Sequence, residues 1–172
     1  MEIKLAIEAA QGFEQEEKPL EETVVKVYRT AKVIKGGRRF SFGVLVAVGD
    51  RAGTVGIGYG KAKEVPLAVE KGMKEAKKEL HKIALVGRTI PHQTIAKYGA
   101  TKIILVPASA GTGVIAGSSA RAVLELAGVQ DVLTKVYGST SAKNVLKATM
   151  EALLKLRTKE TVESVRGVTI GD

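Results

Sequence analysis

The sequence contains no cysteine and no tryptophan, and aromatic residues make up only 4% of its 172 residues. A chain without cysteine forms neither disulfides nor thiolate metal sites, which is typical of a protein from a reducing compartment. Because aromatic residues are scarce, we expect a core of valine, isoleucine, leucine and alanine. The only histidines, His81 and His92, have no neighbours at metal-ligand spacing, so the sequence predicts neither a metal site nor a cofactor.

Long apolar segments are also missing. No apolar run approaches the roughly 20 residues that a membrane-spanning helix needs. The first residues do not combine a basic segment with an apolar one, as secretory signals do. We therefore expect a soluble, cytoplasmic protein without membrane contacts, long enough for one medium domain or two small ones.

Positive charge is in excess, and it is concentrated in one part of the chain. The formal net charge is +9. Residues 1–22 contain seven acids and two lysines, residues 23–100 contain sixteen bases and five acids, and residues 101–172 contain nine bases and six acids. The excess at 23–100 predicts a polyanionic partner for this region. The alternative is a charge that only keeps the protein soluble.

The most basic segment surrounds a glycine pair. Gly36-Gly37 lies between two valine-rich runs, and such a pair predicts a hairpin because glycine takes positive φ angles without strain. The hairpin should carry four positive charges away from a sheet, on Lys32, Lys35, Arg38 and Arg39.

The first half of the chain predicts three strands followed by a helix. The strands are Thr23–Ile34, Phe40–Gly49 and Thr54–Gly60, and the helix is Glu64–Ile83. Apolar residues at helical spacing should form the buried side of this helix: Val65, Val69, Met73, Ala76, Leu80 and Ile83.

Two further features of this half predict close neighbours. Glycines alternate along the third strand at Gly56, Gly58 and Gly60, so either a packed helix or a ligand should approach its backbone closely. Lys61 and Lys63 precede the helix, where cations oppose the helix dipole and an anion would be favoured. A row of helix lysines continues the positive surface: Lys71, Lys74, Lys78 and Lys82.

The second half predicts the order β-β-α-β-α. The expected strands are Thr89–Ile95, Thr101–Val106 and Val129–Tyr137. One helix should run from Ser118 or Ser119 to Ala127, and the last from Asn144 to Leu156. The predicted fold class is therefore α+β with two domains, at 23–85 and 86–157, between an acidic mobile tail at 1–22 and a polar tail at 158–172.

The glycine-rich segment 108–117 imitates two nucleotide-binding motifs. Gly111 to Ala116 matches GxGxxA, and Asp131 lies twenty residues after Gly111, as in dinucleotide-binding proteins. We reject this interpretation because the turn after Pro107 is not tight and the preceding strands form a hairpin. The segment also resembles the phosphate loop of the galactokinase and homoserine kinase type. A structural turn or a protein contact is favoured, since the acids that a kinase needs for Mg²⁺ and base chemistry are not paired here.

No catalytic arrangement is predicted. The segment 56–61 lacks the residues of a Walker A loop, and no Ser/His/Asp set or carboxylate pair stands out. The nearby aromatics, Tyr28, Phe40, Phe42 and Tyr59, are mostly expected in the core. We therefore favour recognition of double-stranded RNA through phosphates and 2′-hydroxyls over recognition of single strands by stacking.

From about Val24 to Leu156 the chain resembles the family of bacterial small-subunit ribosomal protein five. Many ordered blocks carry the resemblance. They are Lys35-Gly36-Gly37-Arg38, Val48-Gly49-Asp50, Gly56-Ile57-Gly58-Tyr59-Gly60-Lys61-Ala62, Glu64-Val65-Pro66, Thr89-Ile90-Pro91-His92, Pro107-Ala108, Gly111-Thr112-Gly113-Val114-Ile115-Ala116-Gly117, Arg121, Leu124-Glu125-Leu126-Ala127-Gly128-Val129 and Gly138-Ser139.

The resemblance implies a double-stranded-RNA-binding-like first domain and a second domain of the fold shared with those kinases. It implies a non-enzymatic constituent of the small ribosomal subunit in the cytoplasm, without a cofactor or small-molecule substrate. The implied partners are small-subunit ribosomal RNA and ribosomal proteins number four and number eight. The hairpin is associated in this family with spectinomycin sensitivity, and the contact with protein four with translational accuracy.

These considerations predict two sets of site residues. The rRNA-binding set is Arg29, Lys32, Lys35, Gly36, Gly37, Arg38, Arg39, Arg51, Lys61 and Lys63. The protein-contact set is Pro107, Gly111, Thr112, Gly113 and Arg121. Two alternatives remain open: a kinase-like phosphate binder, and a double-stranded-RNA-binding module outside the ribosome.

Overall fold

The first sheet is antiparallel and contains the predicted hairpin. The computed structural model describes residues 19–169. The strands are β1 (Glu21–Ile34), β2 (Gly37–Gly49), β3 (Thr54–Ala62) and β4 (Leu80–Lys82), in the spatial order β1-β2-β3-β4. Ile34 pairs with Gly37, so the turn between β1 and β2 consists of Lys35 and Gly36. Val44, Val46 and Val48 of β2 are fully buried on one face of this sheet.

Helix α1 (Val65–Lys78) covers that face and explains the alternating glycines. Ala68, Gly72 and Ala76 are its buried residues. A Cβ atom at Gly60 would overlap the Ala68 carbonyl oxygen, and a Cβ at Gly58 would lie 2.6 Å from the Ala76 nitrogen. The close neighbour predicted for β3 is therefore a helix and not a ligand.

The second sheet has the order β5-β6-β8-β7. Its strands are β5 (Thr94–Tyr98), β6 (Thr101–Pro107), β7 (Val114–Ile115) and β8 (Val132–Gly138). All pairs are antiparallel except β7 with β8. Three helices complete this half: α2 (Ser118–Leu126), α3 (Ala142–Leu154) and α4 (Lys159–Arg166).

Helices α2 and α3 connect the two sheets through one apolar cluster. Ala47 and Val55, on the face of the first sheet away from α1, belong to the same buried cluster as Leu124 of α2 and Leu146 of α3. Helix α3 also packs against β5 and β6. The layers are therefore α1, the first sheet, α2 with α3, and the second sheet, and the predicted α+β class is confirmed.

Several predicted boundaries are wrong. The first helix ends at Lys78, and Leu80–Lys82 instead pairs with Thr54–Gly56 as β4. The strand predicted at Thr89–Ile95 lies at Thr94–Tyr98. The N-cap of α2 is Gly117, and Ser118 and Ser119 are its first helical residues.

The ends of the chain differ from the expectation in two places. Strand β1 begins at Glu21, inside the segment expected to be a tail, and the mobile tail predicted for 1–22 otherwise lies outside the described residues. Helix α4 is not predicted by the pattern. Thr158 caps it by accepting a hydrogen bond from the Thr161 N–H, and Gly167 ends it at φ 65°. Within residues 19–169, no helix has the length and apolarity to cross a membrane.

Candidate nucleic-acid interface

The β1–β2 hairpin projects beyond the rest of its sheet. The last pair between β2 and β3 is Phe42 with Ala62, whereas β1 and β2 remain paired as far as Ile34 and Gly37. Every residue from 31 to 40 is exposed. We call the paired residues 29–42 the ribbon. At about 3.3 Å per residue, the ribbon turn lies about 20 Å beyond Gly43.

The ribbon and the adjoining residues of β1 and β2, at 23–49, carry positive charge without an acid. Residues 23–49 contain six bases and no Asp or Glu. None of these six bases forms an ion pair with a carboxylate in the described part of the chain. An uncompensated positive surface of this kind attracts a polyanion. The six bases are Lys26, Arg29, Lys32, Lys35, Arg38 and Arg39.

The strand register distributes these bases over both faces of the ribbon. Lys32 pairs with Arg39, so both point to the face away from α1. Arg38 points to the opposite face, together with Phe40 and Arg29. The Arg29 guanidinium lies 4.8 Å from the centroid of the Phe40 ring, a distance typical of a cation–π contact.

Of the two adjacent glycines at the end of the ribbon, only Gly37, the first residue of β2, adopts a positive φ angle. Gly37 has φ 131°, whereas Gly36 does not lie in the positive region. A Cβ atom at either position would have no heavy atom within 4 Å. The backbone angle at Gly37 is therefore the constraint that this turn places on the sequence.

Lys61 and Lys63 lie at the base of the ribbon. Lys61 pairs with Gly43 of β2, and both lysines are exposed. Helix α1 begins directly after them with Glu64 as its N-cap and no acid in its first turn. Lys61 therefore lies beside the base of the ribbon, and both lysines precede a helix N-terminus that favours anions.

Arg51 does not join this surface. It follows the far end of β2, about 40 Å from the ribbon turn at 3.3 Å per residue. Its guanidinium forms an ion pair with Glu21 at 2.7 Å, and its backbone N–H donates to the Leu126 carbonyl at 2.9 Å. Arg51 has φ 52°, an uncommon angle for a residue with a side chain. This turn joins the first sheet to the end of α2.

Asp50 holds the Arg51 turn. Its Oδ1 accepts hydrogen bonds from the N–H groups of Ala52 at 2.7 Å and Thr54 at 2.8 Å. Partial burial of the Asp50 carboxyl would by itself raise its pKa. The hydrogen bonds from Ala52 and Thr54 favour the ionised form and together outweigh burial, so the pKa lies below its usual value.

The lysines predicted as a helix row are split between two elements. Lys71, Lys74 and Lys78 are exposed on α1, but Lys82 belongs to β4. Lys78 contacts Glu75 at 3.7 Å.

The glycine-rich loop between β6 and β7 is organised around a buried carboxylate. Asp131 is 1% exposed. Its Oδ1 accepts hydrogen bonds from the backbone N–H groups of Gly111 at 3.0 Å and Gly113 at 2.9 Å. Its Oδ2 makes no hydrogen bond, and Arg88 Nε lies 3.4 Å away. The N–H groups that a phosphate would require are therefore already used by a side chain of the protein.

The predicted protein-contact residues lie around this loop. Gly111 and Thr112 are exposed at its tip, and the Thr112 hydroxyl donates to the Ser109 carbonyl at 2.8 Å. Pro107 ends β6 and is half-buried. Arg121 is exposed on the first turn of α2. No group of three His, Asp or Glu side chains within residues 19–169 is placed to hold a metal ion.

Sequence reasoning missed two features of these surfaces. The spacing that imitates a dinucleotide motif does identify Asp131, but its carboxylate is buried and accepts hydrogen bonds from the loop itself. The expectation that most of the four nearby aromatic residues lie in the core was wrong: Phe40 is 46% and Tyr59 41% exposed, and Tyr28 and Phe42 are only half-buried.

Comparison with known proteins gives one family. The family model described as "Ribosomal protein S5, N-terminal domain" matches residues 20–84, and the family model described as "Ribosomal protein S5, C-terminal domain" matches residues 96–166. The chain is similar to small ribosomal subunit protein uS5 of Aquifex aeolicus, with 54% identity over 88% of this chain and 73% of the relative. The corresponding protein of Syntrophobacter fumaroxidans is 51% identical over 91% of this chain and 94% of the relative. That of Rhodopirellula baltica is 50% identical over 87% and 84%.

Proposed function

Because the chain belongs to the ribosomal protein S5 family, we propose that it binds small-subunit ribosomal RNA through the ribbon and its base. The protein is a structural, non-enzymatic constituent of the small ribosomal subunit in the cytoplasm. Its ribbon neutralises phosphates where RNA segments converge. Its second sheet, with α2 and α3, provides a platform for neighbouring proteins.

The observation that carries this proposal is the uncompensated charge of the ribbon. Six bases and no acid occur in residues 23–49, and the ribbon residues 31–40 are exposed beyond the folded sheet. Phosphates supply the missing negative charge, and each one that is neutralised releases counterions into solution. The proposed rRNA contacts are Arg29, Lys32, Lys35, Arg38, Arg39, Lys61 and Lys63, with Gly36 and Gly37 shaping the turn.

The test is a double charge reversal on the ribbon. Arg38→Glu with Arg39→Glu should weaken binding to small-subunit rRNA roughly tenfold or more and lower the slope of log affinity against log salt by about 2. The matched control is Lys155→Glu with Arg157→Glu, which reverses two exposed charges at the end of α3. Equal affinity and equal salt slope for the ribbon variant and the wild type would refute the ribbon as the rRNA-binding element.

The glycine-rich loop is the proposed contact for ribosomal protein number four, and through it the protein would support translational accuracy. The exposed tip at Gly111 and Thr112 supports this role because Asp131 fixes its conformation from inside. Arg121, exposed on the first turn of α2, is the proposed charged contact. Arg121→Glu should weaken association with purified protein number four without changing rRNA affinity. We also propose a contact with ribosomal protein number eight. For the chain itself, we propose a division into two domains, at 23–85 and 86–157.

The kinase-like alternative is not favoured. A phosphate loop must offer free N–H groups, and those of Gly111 and Gly113 donate to Asp131. The choice between ribosomal and free RNA binding is tested by sedimentation. The protein should comigrate with small subunits in a lysate gradient.

A further inference from the structure

The two faces of the ribbon differ in chemistry. Thr30, Lys32, Arg39 and Ser41 share one face with Ile34, and we call it the polar face because most of its side chains are polar. The opposite face carries three exposed apolar residues and two arginines, and we call it the apolar face. Its exposed members are Arg29, Ala31, Val33, Arg38 and Phe40, and Phe42 is half-buried at its base.

Within residues 19–169, no helix and no further strand covers the apolar face. Val33 is 75% exposed and Phe40 is 46% exposed. Helix α1 covers the same side of β2 further along, where Val44 and Val46 are fully buried with Ala68 and Ala76. The side chains of the apolar face therefore add nothing to the protein's own core, which distinguishes them from the buried valines of the same strand.

The surroundings of Phe40 indicate which partner fits. Arg29 lies over its ring at 4.8 Å, and Arg38 is on the same face. A flat aromatic surface between cations matches a nucleobase with a phosphate on either side, because bases stack on aromatic rings and on guanidinium planes. No acid occurs from 23 to 49 that would attract a basic protein segment instead.

We infer that the apolar face of the ribbon binds an unpaired nucleotide of RNA. Its base stacks on Phe40, and Arg29 and Arg38 contact the flanking phosphates, while the polar face contacts phosphates of paired RNA. This inference rests on the proposed rRNA binding and adds a recognition mode that phosphate contacts alone do not provide. The ribbon then selects sites where an RNA double helix is interrupted by an unpaired nucleotide.

Binding to two RNAs tests the inference. One is a fully paired duplex of about 20 base pairs, longer than the roughly 16 that a double-stranded-RNA-binding domain spans. The other is the same duplex interrupted by a bulge of unpaired adenosines. The wild type should prefer the bulged RNA. Phe40→Leu should reduce affinity for the bulged RNA about tenfold and leave that for the paired RNA unchanged, whereas Phe40→Tyr should retain the preference. Tyr137→Leu, which replaces an exposed aromatic residue on the second sheet, is the matched control and should leave both affinities unchanged.

A fluorescent variant reports stacking directly. The chain has no tryptophan, so Phe40→Trp introduces a single indole at the proposed stacking position. Its emission should be quenched by the bulged RNA and much less by the paired one, because only an unpaired base can stack on it. Thermal unfolding of each variant establishes that it is folded before binding is measured.

The outcomes separate this inference from the function on which it rests. Equal affinity for both RNAs, with no effect of Phe40→Leu and no quenching, would overturn the stacking role while leaving phosphate binding intact. If Arg38→Glu with Arg39→Glu did not weaken binding to rRNA, the proposed rRNA binding by the ribbon would be overturned instead. Ultraviolet cross-linking in reconstituted small subunits should join the Phe40 peptide to RNA. A cross-link of that peptide to a protein alone would contradict the inference.

Discussion

The backbone N–H of Gly113 donates a hydrogen bond to Asp131 Oδ1 over 2.9 Å, and this contact explains a misleading motif. The glycine-rich loop has the geometry of an anion-binding loop, but the anion is the side-chain carboxylate of the residue that precedes β8. The protein thereby keeps the shape of a phosphate loop without a free place for phosphate. The exposed side of the loop is the surface that we propose for contact with a neighbouring protein.

Removing this carboxylate should release the loop. Asp131→Ala leaves the N–H groups of Gly111 and Gly113 without their acceptor, and we expect a loss of about 2 kcal/mol in the free energy of unfolding. Asp131→Asn keeps an Oδ1 acceptor and should lose less. Amide hydrogen exchange at Gly111 and Gly113 is the measurement. Unchanged exchange in Asp131→Ala would show that the loop does not depend on this side chain.

The ribbon turn should tolerate alanine at one glycine and not at the other. Both positions are open, so they differ only in backbone angle. Gly37→Ala places a side chain at φ 131° and should cost about 1–2 kcal/mol. Gly36→Ala should be close to neutral. Circular dichroism during thermal unfolding compares the two, and equal melting temperatures would contradict the prediction.

The glycines of β3 should resist substitution for a steric reason. A Cβ at Gly60 would overlap the Ala68 carbonyl and lie 2.5 Å from the Gly72 nitrogen, both in the backbone of α1. Since neither atom can rotate away, Gly60→Ala should destabilise the protein by about 2–3 kcal/mol. Denaturant unfolding measures this loss, with Gly36→Ala as the control for replacing glycine itself. If Gly60→Ala lowered the free energy of unfolding no more than Gly36→Ala does, α1 would have to shift at little cost to make room for the added methyl group.

Stability should fall at acidic pH partly through Asp50. The pKa of its carboxyl is lowered in the folded protein by hydrogen bonds from Ala52 and Thr54, against the opposing effect of burial. Its stabilisation is therefore complete above the unfolded-state pKa, near 3.9 for Asp, and is lost as the pH falls through the folded-state value. Asp50→Asn should remove this part of the pH dependence. Unfolding free energies between neutral and acidic pH compare both proteins, and parallel curves would exclude the contribution.

The first half of the fold was predictable because local patterns and packing agree there. Alternating valines in β2 and alternating glycines in β3 both predict a sheet covered closely by another element. The end of α1 was not predictable from the same reasoning. Leu80 and Ile83 continue the helical spacing, and both are shielded from solvent after the chain has turned into β4. Apolar spacing therefore cannot distinguish the two structures.

The exposed aromatics were mispredicted for a related reason. Phe40 and Phe42 continue the alternation of Val44 and Val46 on one face of β2. Alternation identifies a face, but burial depends on how far the covering helix extends. Helix α1 does not reach the ribbon, so the same pattern passes from core into solvent. The charges on the ribbon, in contrast, could be located from the sequence because they lie beside a recognisable turn.

The free edges of the ribbon have a consequence for the protein before it is assembled. Beyond Phe42, neither β1 nor β2 has an outer neighbour among the described strands, and exposed strand edges can pair with those of another copy. If two ribbons approached each other, their lysine and arginine side chains would come together with no acidic side chain between them to offset the repulsion. Repulsion between like charges therefore protects the unassembled protein against edge-to-edge aggregation. A polyanion that neutralises the ribbon removes this repulsion, but it also covers the strand edges that could otherwise pair.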